Sequence, residues 1–192
     1  MTTSLVLVRH GETDWNRERR FQGHADRSLN DAGREQARAL AVLLSDELFA
    51  AIYTSPLRRA SETADIVGRH LGLEPGGLEG LREIDVGGWE GLTIDEIRER
   101  FPEASRVDWR SGWEGGETYD ELAARVIPAL VDVAGRHPGE SVLGITHAGP
   151  IRAALAAAEG ISHEESRARI GPLENCATFR FEIRDGTLAR IA

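Results

Sequence analysis

Short apolar runs alternate along this chain with longer segments in which apolar residues recur every three or four positions. The runs Ser4–Val8, Ala51–Thr54 and Ser141–Thr146 have the length and residue types of buried strands. Helical spacing and helix-start signals predict the segments between and after them to be helices. The first predicted helix is Asp31–Asp46, and the second has Ser55 as its cap and Pro56 as its first residue and runs to about Leu71. The capping box Thr93/Glu96 begins a helix that ends near Phe101, and the capping box Thr118/Glu121 begins one that ends near Gly135. The last predicted helix is Gly149–Ala158.

The end of the chain predicts two further strands. Ala177–Ile183 and Leu188–Ile191 flank Asp185-Gly186, a dipeptide that is typical of tight hairpin turns. Strands that alternate with helices indicate a three-layer α/β/α sandwich with a mostly parallel central sheet. The length of 192 residues fits one domain that spans residues 1–192.

Composition narrows the classes of function. The net charge is −9, which argues against a nucleic-acid partner, and all 23 basic residues are arginine. No apolar run approaches the roughly 20 residues that span a bilayer, so no membrane partner is expected, and the N-terminus lacks the pattern of a signal peptide. The single cysteine, Cys176, allows no intrachain disulfide, so a cytoplasmic location is expected. An acidic protein of this kind would bind an anion through a local cluster of positive charge.

Such a cluster is predicted at one edge of the sheet. Arg9 and His10 follow the first strand, Ser55 to Arg59 follow the second, and His147 follows Ser141–Thr146. Ligands of parallel sheets bind beyond the carboxyl ends of the strands, where these residues meet. Arginine matches phosphate oxygens in bidentate geometry, and histidine can act as a nucleophile or base. The residues therefore indicate a site for a phosphoryl group.

Several motifs, in order, resemble those of one family. The segments "LVRHGETDWN", "YTSPLRRASETA", "LREIDVGGWEGLT", "GGETYDELAARV" and "ITHAGPIRAAL" are similar to the signatures of the histidine phosphatase superfamily, also called phosphoglycerate mutase-like. The resemblance covers nearly the whole chain and implies the phosphoglycerate mutase-like fold. Motifs that recur together in the family's order are far more specific than a lone Arg-His-Gly.

The resemblance implies a role for each matching residue. His10 would become phosphohistidine, and Glu83 would donate a proton to the leaving oxygen and later activate water. Arg9, Arg59 and His147 would hold the phosphoryl group, with Arg59 preferred to Arg58 because it directly precedes the alanine of the motif. The residues expected to line the substrate site are Asn16, Gln22, Gly11 and Ala148. The resemblance also implies that the reaction needs neither a metal nor an organic cofactor.

Other polar and aromatic residues are expected to have more ordinary places. His24, His70, His137 and His163 lack the paired spacing of metal ligands and are predicted at the surface, as is Arg58. Cys176 is expected to be a small buried residue. Asp85, Trp89 and Glu90 would position the acid motif. Two questions stay open: whether Trp109 and Trp113 are core or close over the substrate, and whether Arg17, Arg19 and Arg20 form a solvated face or meet a second anionic group.

The branch of the family is predicted from one short segment. Mutases of the family carry a long insertion between the acid motif and the Gly-Gly-Glu segment, whereas here only Gly91 to Gly115 lies between them. A short segment leaves the site open to water, which favours hydrolysis of a small phosphate monoester. The alternatives are a phosphoglycerate mutase, a phosphatase specialised for a sugar phosphate or phosphoglycerate derivative, and a non-catalytic sensor of a phosphorylated ligand. The substrate and the choice between a monomer and a homodimer are left open.

Overall fold

A six-stranded sheet forms the centre of the fold in the computed structural model, which describes residues 1–102 and 115–191. The strands are β1 (Thr3–Arg9), β2 (Ala51–Thr54), β3 (Pro75–Gly77), β4 (Ser141–Thr146), β5 (Thr178–Arg184) and β6 (Thr187–Ile191). Their order is β3-β2-β4-β1-β5-β6. The first four in that order are parallel, and β5 and β6 add an antiparallel edge. The predicted mixed α/β fold with a mostly parallel sheet is confirmed.

Helices cover both faces of this sheet. In the described residues they are α1 (Asp14–Arg17), α2 (Asp31–Leu43), α3 (Arg58–Leu71), α4 (Ile94–Arg100), α5 (Tyr119–Arg136), α6 (Ala148–Glu159) and α7 (His163–Ile170). Side chains of β1 alternate between the two faces, as they must in a strand. Leu5 and Leu7 belong to the apolar core that includes α5 and α6, whereas Val6 and Val8 belong to the core that includes α2 and α3. Three layers result, as predicted.

Of the five predicted helix starts, three are correct, among them Asp31 of α2, one is wrong and one differs by a single residue. Thr93 and Thr118 each form the capping box that the sequence indicates. The predicted start at Ser55 and Pro56 is wrong, because α3 begins at Arg58 with Leu57 as its N-cap and no side-chain cap. The Ser55 hydroxyl instead lies 2.7 Å from Nε2 of His147, so it belongs to the site rather than to the helix end.

Other differences are small or concern elements with weak signals. Helix α2 ends at Leu43, three residues before the predicted Asp46, and α6 begins at Ala148, one residue before the predicted Gly149. Strand β3 was not predicted, because Pro75-Gly76-Gly77 has no apolar pattern and pairs through its backbone alone. Helix α7 was also missed, although Ser162 and Glu165 form a capping box at its start.

Two expectations fall on the segment between α4 and α5. Trp109 and Trp113 lie outside the described residues. Among the residues that are described, no helix is both long enough and apolar enough to cross a bilayer.

Candidate active site

The carboxyl ends of three neighbouring strands meet at one cavity. β2, β4 and β1 are adjacent in the sheet, and Ser55, His147 and His10 follow them directly. The cavity has a volume of about 290 Å³. Seven of the nine predicted site residues line it: Arg9, His10, Asn16, Gln22, Arg59, Glu83 and Ala148. Gly11 and His147 do not line it, although each contacts residues that do.

The His10 ring is held in one orientation and one protonation state. Its Nδ1 lies 2.7 Å from the carbonyl oxygen of Gly11, so Nδ1–H donates and Nε2 keeps its lone pair. Burial lowers the pKa of His10 well below the ordinary value of 6.5, and the charges of Arg59 and Arg9 lower it further. A neutral imidazole with a free Nε2 can attack an electrophile at physiological pH.

Two arginines bring positive charge to this imidazole. Arg59 is fully buried, and its guanidinium donates to the carbonyl oxygens of Ala25 and Gly23, both at 2.8 Å. Burial lowers its pKa to about 10, so it stays charged at neutral pH. Arg9 donates to the carbonyl oxygen of Leu173. The Nε atoms of both arginines are buried without a partner among the described residues, which suits a ligand that supplies acceptor oxygens.

The His147 ring packs against the His10 ring in an edge-to-face arrangement. The two ring centroids are 5.1 Å apart at an interplanar angle of 61°. The Ser55 hydroxyl accepts from the backbone N–H of Leu57, at 3.3 Å, so its own proton can go to Nε2 of His147. This arrangement leaves the proton of the neutral ring on Nδ1, which has no partner among the described residues. Burial, followed by the charge of Arg59, lowers the pKa of His147 well below its ordinary value.

The Glu83 carboxylate is fixed at the start of helix α6. Its Oε1 accepts from the backbone N–H groups of Ile84 and Gly149, both at 2.9 Å. The Arg125 guanidinium donates to the backbone carbonyl of Glu83, at 2.8 Å, and so holds the segment that carries it. With Oε1 occupied, Oε2 is the oxygen available for exchanging a proton with a ligand in the cavity.

Three further predicted residues complete the wall of the cavity. The side-chain oxygen of Asn16 accepts from the backbone and hydroxyl of Thr13 in the capping box of α1, so its amide N–H groups are the donors left for a ligand. Gln22 is 9% exposed, and its Oε1 has no partner within the described part of the chain. Ala148 is the first residue of α6, where backbone N–H groups and the helix dipole favour an anion.

Gly11 has a packing position rather than a place on the cavity wall. Its backbone N–H donates to the Thr63 hydroxyl, at 3.1 Å, which in turn donates to the backbone carbonyl of Arg59. A Cβ on Gly11 would lie 2.5 Å from the carbonyl oxygen of Gly33, and a Cβ on Gly33 would lie 2.1 Å from that of Glu12. Helix α2 therefore packs backbone to backbone against the segment that follows His10.

The cavity residues that were not predicted from the sequence include four with polar or aromatic side chains on α5, α6 and α7: Tyr119, Arg152, His163 and Arg167. The prediction that His163 lies at the surface is wrong, because its ring stacks on Tyr119 with centroids 3.4 Å apart. Of the other three histidines, His70 is exposed, whereas His24 and His137 are partly buried. A larger cavity of about 880 Å³ adjoins the first and shares Tyr119, His163 and Arg167 with it. A capping box at Ser162 was the available signal for this region.

The remaining arginines divide between surface and structure. Arg58 is exposed, as predicted, and does not line the cavity. Arg17 is exposed and pairs with Asp14. Arg20 lines the cavity but bonds to Glu18 and Glu96, at 2.9 and 2.7 Å.

Within the described residues no group of three or more histidine, cysteine, aspartate or glutamate side chains is arranged to hold a metal ion. Cys176 is partly buried, and burial raises the pKa of its thiol to about 12.

Comparisons with known proteins agree with this geometry. The family model described as "Histidine phosphatase superfamily (branch 1)" matches residues 5–190. A metal-independent phosphoserine phosphatase from Arabidopsis thaliana is 40% identical over 159 residues, which are 79% of this chain and 66% of the relative, so the match spans about two thirds of that plant protein. Phosphoserine phosphatase 1 from Hydrogenobacter thermophilus is 36% identical over 162 residues, 82% of this chain and 76% of the relative.

Solved structures of related proteins have the same fold as this chain. A mycobacterial glucosyl-3-phosphoglycerate phosphatase with bound VO3 superimposes with a TM-score of 0.86 at 32% identity, covering 97% of this chain and 95% of that one. The family predicted from the motifs is thereby confirmed. The chain therefore belongs to branch 1 of the histidine phosphatase superfamily and is a phosphatase of that family.

Proposed function

We propose that this protein hydrolyses small phosphate monoesters through a phosphohistidine intermediate on His10, with Glu83 as the proton donor and without a metal ion. The observation that carries the proposal is the His10 ring. Its Nδ1–H is bound to the Gly11 carbonyl, which leaves the lone pair on Nε2, burial keeps the ring neutral, and the residue lines a cavity that Arg9 and Arg59 also line. A nucleophile in this state needs no base to activate it.

The first step transfers the phosphoryl group to the enzyme. Nε2 of His10 forms a bond to phosphorus while the bond from phosphorus to the ester oxygen breaks. Arg9 and Arg59 neutralise charge on the phosphoryl oxygens, and Nδ1–H of His147 can donate to one of them. Glu83, in its carboxylic acid form, gives its proton to the departing alkoxide through Oε2.

The second step returns the enzyme to its starting state. Glu83, now a carboxylate, takes a proton from a water molecule whose oxygen attacks phosphorus. The bond from phosphorus to Nε2 breaks, inorganic phosphate leaves, and both His10 and Glu83 regain the forms in which they began. One carboxylate thus serves as acid and then as base, because the two steps need a proton to move in opposite directions.

The names of relatives support a small substrate. Two curated relatives are called phosphoserine phosphatases, and one solved neighbour is called a glucosyl-3-phosphoglycerate phosphatase. A cavity of about 290 Å³ is at the lower end of the volumes of small-molecule sites. We therefore assign small phosphorylated metabolites, rather than phosphoproteins, as the substrates of this chain.

Trapping the intermediate tests the proposal. The protein is mixed with p-nitrophenyl phosphate and quenched rapidly in alkali, where phosphohistidine is stable. The masses of the intact protein and of its peptides are then measured by mass spectrometry. Wild-type protein should gain the mass of one phosphoryl group on His10 and release phosphate in the presence of a metal chelator. The His10→Ala variant should do neither, and His70→Ala, which removes an exposed histidine, should behave as wild type.

Four results would contradict the proposal. Phosphate release by His10→Ala would place the nucleophile elsewhere, and loss of activity with chelator would require a metal. Phosphoryl transfer to 3-phosphoglycerate without free phosphate would show a mutase, and binding of esters without turnover would show a sensor.

A further inference from the structure

A histidine that does not line the cavity contacts the backbone of the proton donor. His24 lies in the turn of residues 22–25, and its side chain is 30% exposed. Its Nε2 lies 2.8 Å from the backbone carbonyl oxygen of Glu83. A carbonyl oxygen can only accept a hydrogen bond, so the Nε2–H of the ring donates to it. Neither step of the proposed reaction uses His24, so this contact needs an explanation of its own.

The contact reaches the carboxylate of the proton donor through a single peptide group. The carbonyl of Glu83 and the N–H of Ile84 belong to the same planar unit. That N–H donates to Oε1 of the Glu83 side chain, at 2.9 Å. The carbonyl accepts from two donors, Nε2 of His24 and Nη2 of Arg125, both at 2.8 Å. The two donors fix the plane of the peptide, and the plane fixes the direction of its N–H. His24 therefore acts on the orientation of the carboxylate without touching it.

The turn that carries His24 also holds an arginine of the phosphoryl site. The guanidinium of Arg59 donates to the carbonyl oxygens of Gly23 and Ala25, both at 2.8 Å. These two residues flank His24 in the chain. The turn itself is closed by the N–H of Ala25, which donates to the carbonyl oxygen of Gln22 at 2.9 Å. One closed turn thus contacts both the arginine that would hold the phosphoryl group and the peptide that orients the acid, and it sets their relative positions.

Asp85 lies at the other nitrogen of the His24 ring. Its Oδ2 is 3.8 Å from Nδ1, which is beyond hydrogen-bond distance, and its Oδ1 accepts from the backbone N–H of Gly87 at 2.9 Å. The backbone carbonyl of Asp85 accepts from the N–H of Glu117, also at 2.9 Å. Within the described residues, the short hydrogen bond of the ring is the one from Nε2 to the backbone of the proton donor.

We infer that His24 is a positioning residue for the proton donor: it orients the peptide group between Glu83 and Ile84 and so directs the Glu83 carboxyl toward the leaving oxygen. A general acid must lie within hydrogen-bond distance of the oxygen that it protonates. Loss of this orientation should therefore slow proton transfer to the leaving group more than attack on phosphorus. Arg125 stays as the second donor, so the loss should be smaller than that caused by removing the carboxyl. This inference rests on the proposed hydrolysis and adds a residue to its proton-transfer step.

Three esters with leaving groups of increasing basicity test the inference. p-Nitrophenyl, phenyl and benzyl phosphate are similar in shape, and departure of the benzyl alkoxide depends most on protonation. The value of kcat/KM, from phosphate release, is measured for wild type, His24→Met and His24→Gln. Methionine and glutamine are close in length, but only glutamine offers an N–H in place of Nε2–H. His70→Met is the matched control, since His70 is exposed on α3 and lines neither the active-site cavity nor the larger one.

His24→Met should lower kcat/KM for benzyl phosphate about 10-fold, the effect of one lost hydrogen bond, and for p-nitrophenyl phosphate less than about twofold. His24→Gln should regain most of the rate with benzyl phosphate, and His70→Met should match wild type. In a chain that already carries Glu83→Gln, adding His24→Met should change little, because no acid is left to direct.

An equal loss with all three esters in His24→Met would overturn the inference, because it would assign His24 to folding or to the phosphoryl site. Wild-type rates in His24→Met would overturn it too, as would losses that multiply in the double variant or a His24→Gln protein as slow as His24→Met. The proposed acid is tested separately: an equal loss with all three esters in Glu83→Gln would overturn the role of Glu83, and this inference with it.

Discussion

Gly33 allows a sharp test of how closely the nucleophile segment is positioned. In Gly33→Ala, the new Cβ would lie 2.1 Å from the carbonyl oxygen of Glu12 and 2.6 Å from its nitrogen. Ordinary contact begins at 3.4 Å, so the backbone of α2 or of the Glu12 segment must move by about 1.3 Å. Both colliding atoms belong to backbone, so no side chain can rotate away. A shift of this size next to His10 should lower kcat about 100-fold, since misplacement by about 1 Å costs that much.

The same shift should also be visible in stability. Overpacking of a buried contact costs about 1–3 kcal/mol, so the free energy of unfolding should fall by that amount. The matched control is Gly135→Ala on α5, where a Cβ meets nothing within 4 Å. That variant should keep its kcat and gain up to about 1 kcal/mol, because alanine is the better helix former.

The assays are phosphate release from p-nitrophenyl phosphate and urea denaturation. Gly33→Ala with wild-type kcat and a correctly folded chain would refute the reasoning that backbone contact with α2 positions His10. Equal losses in Gly33→Ala and Gly135→Ala would refute it as well, because the second position is open.

Further predictions concern the core, the buried histidines and the proton donor. Leu7→Ala should lower the free energy of unfolding by about 2–5 kcal/mol, while the fraction that stays folded keeps its kcat. His10→Ala should instead leave the protein folded and abolish turnover. Urea denaturation and phosphate release measure both effects. Lowering the pH from about 7.5 to about 5.5 should cost about 1.4 kcal/mol for each of His10 and His147, because burial depresses their folded pKa values and only the unfolded chain takes up protons below about pH 6.5. Urea titrations at the two pH values measure this loss, and a stability that rises toward pH 5.5 would contradict it. Glu83→Gln should slow hydrolysis of alkyl phosphates by about 100- to 10,000-fold and that of p-nitrophenyl phosphate less, since a good leaving group needs less protonation; equal losses would argue against a proton donor. Ser55→Ala should reduce the free energy of unfolding by about 1–3 kcal/mol by leaving Nε2 of His147 buried and unpaired, and an unchanged value in urea would show that the hydroxyl is dispensable.

The sequence predicted those parts of the site that follow directly from strands. Residues at the ends of β1, β2 and β4 converge because parallel neighbours end at the same edge, so His10, His147 and the segment from Ser55 to Arg59 could be located from local pattern alone. The choice of Arg59 over Arg58 rested on the resemblance to the family. Glu83 lies in a segment without regular structure, and only the resemblance to the family identified it. The hydrophobic periodicity likewise placed most strands and helices to within a few residues of their ends.

Other parts depend on contacts that no local pattern contains. Arg152 has a place in the cavity because α6 begins at the strand end and turns one face toward it. His163 was misplaced because its stacking on Tyr119 joins two helices that are distant in sequence. Ser55 was taken for a helix cap because sequence shows only the helix that follows it and not the imidazole across the sheet.

The central position of β1 has a consequence for the way in which activity is lost on heating. The strand has β4 on one side and β5 on the other, contributes alternate side chains to both cores, and ends at His10. Because β1 belongs to both cores, unfolding of either core displaces β1 and with it His10. Activity and global structure should therefore disappear in a single cooperative transition, with no partly unfolded species that still turns over substrate. Ligands that occupy the site would then protect the whole chain from unfolding and proteolysis, and not only the cavity that they fill.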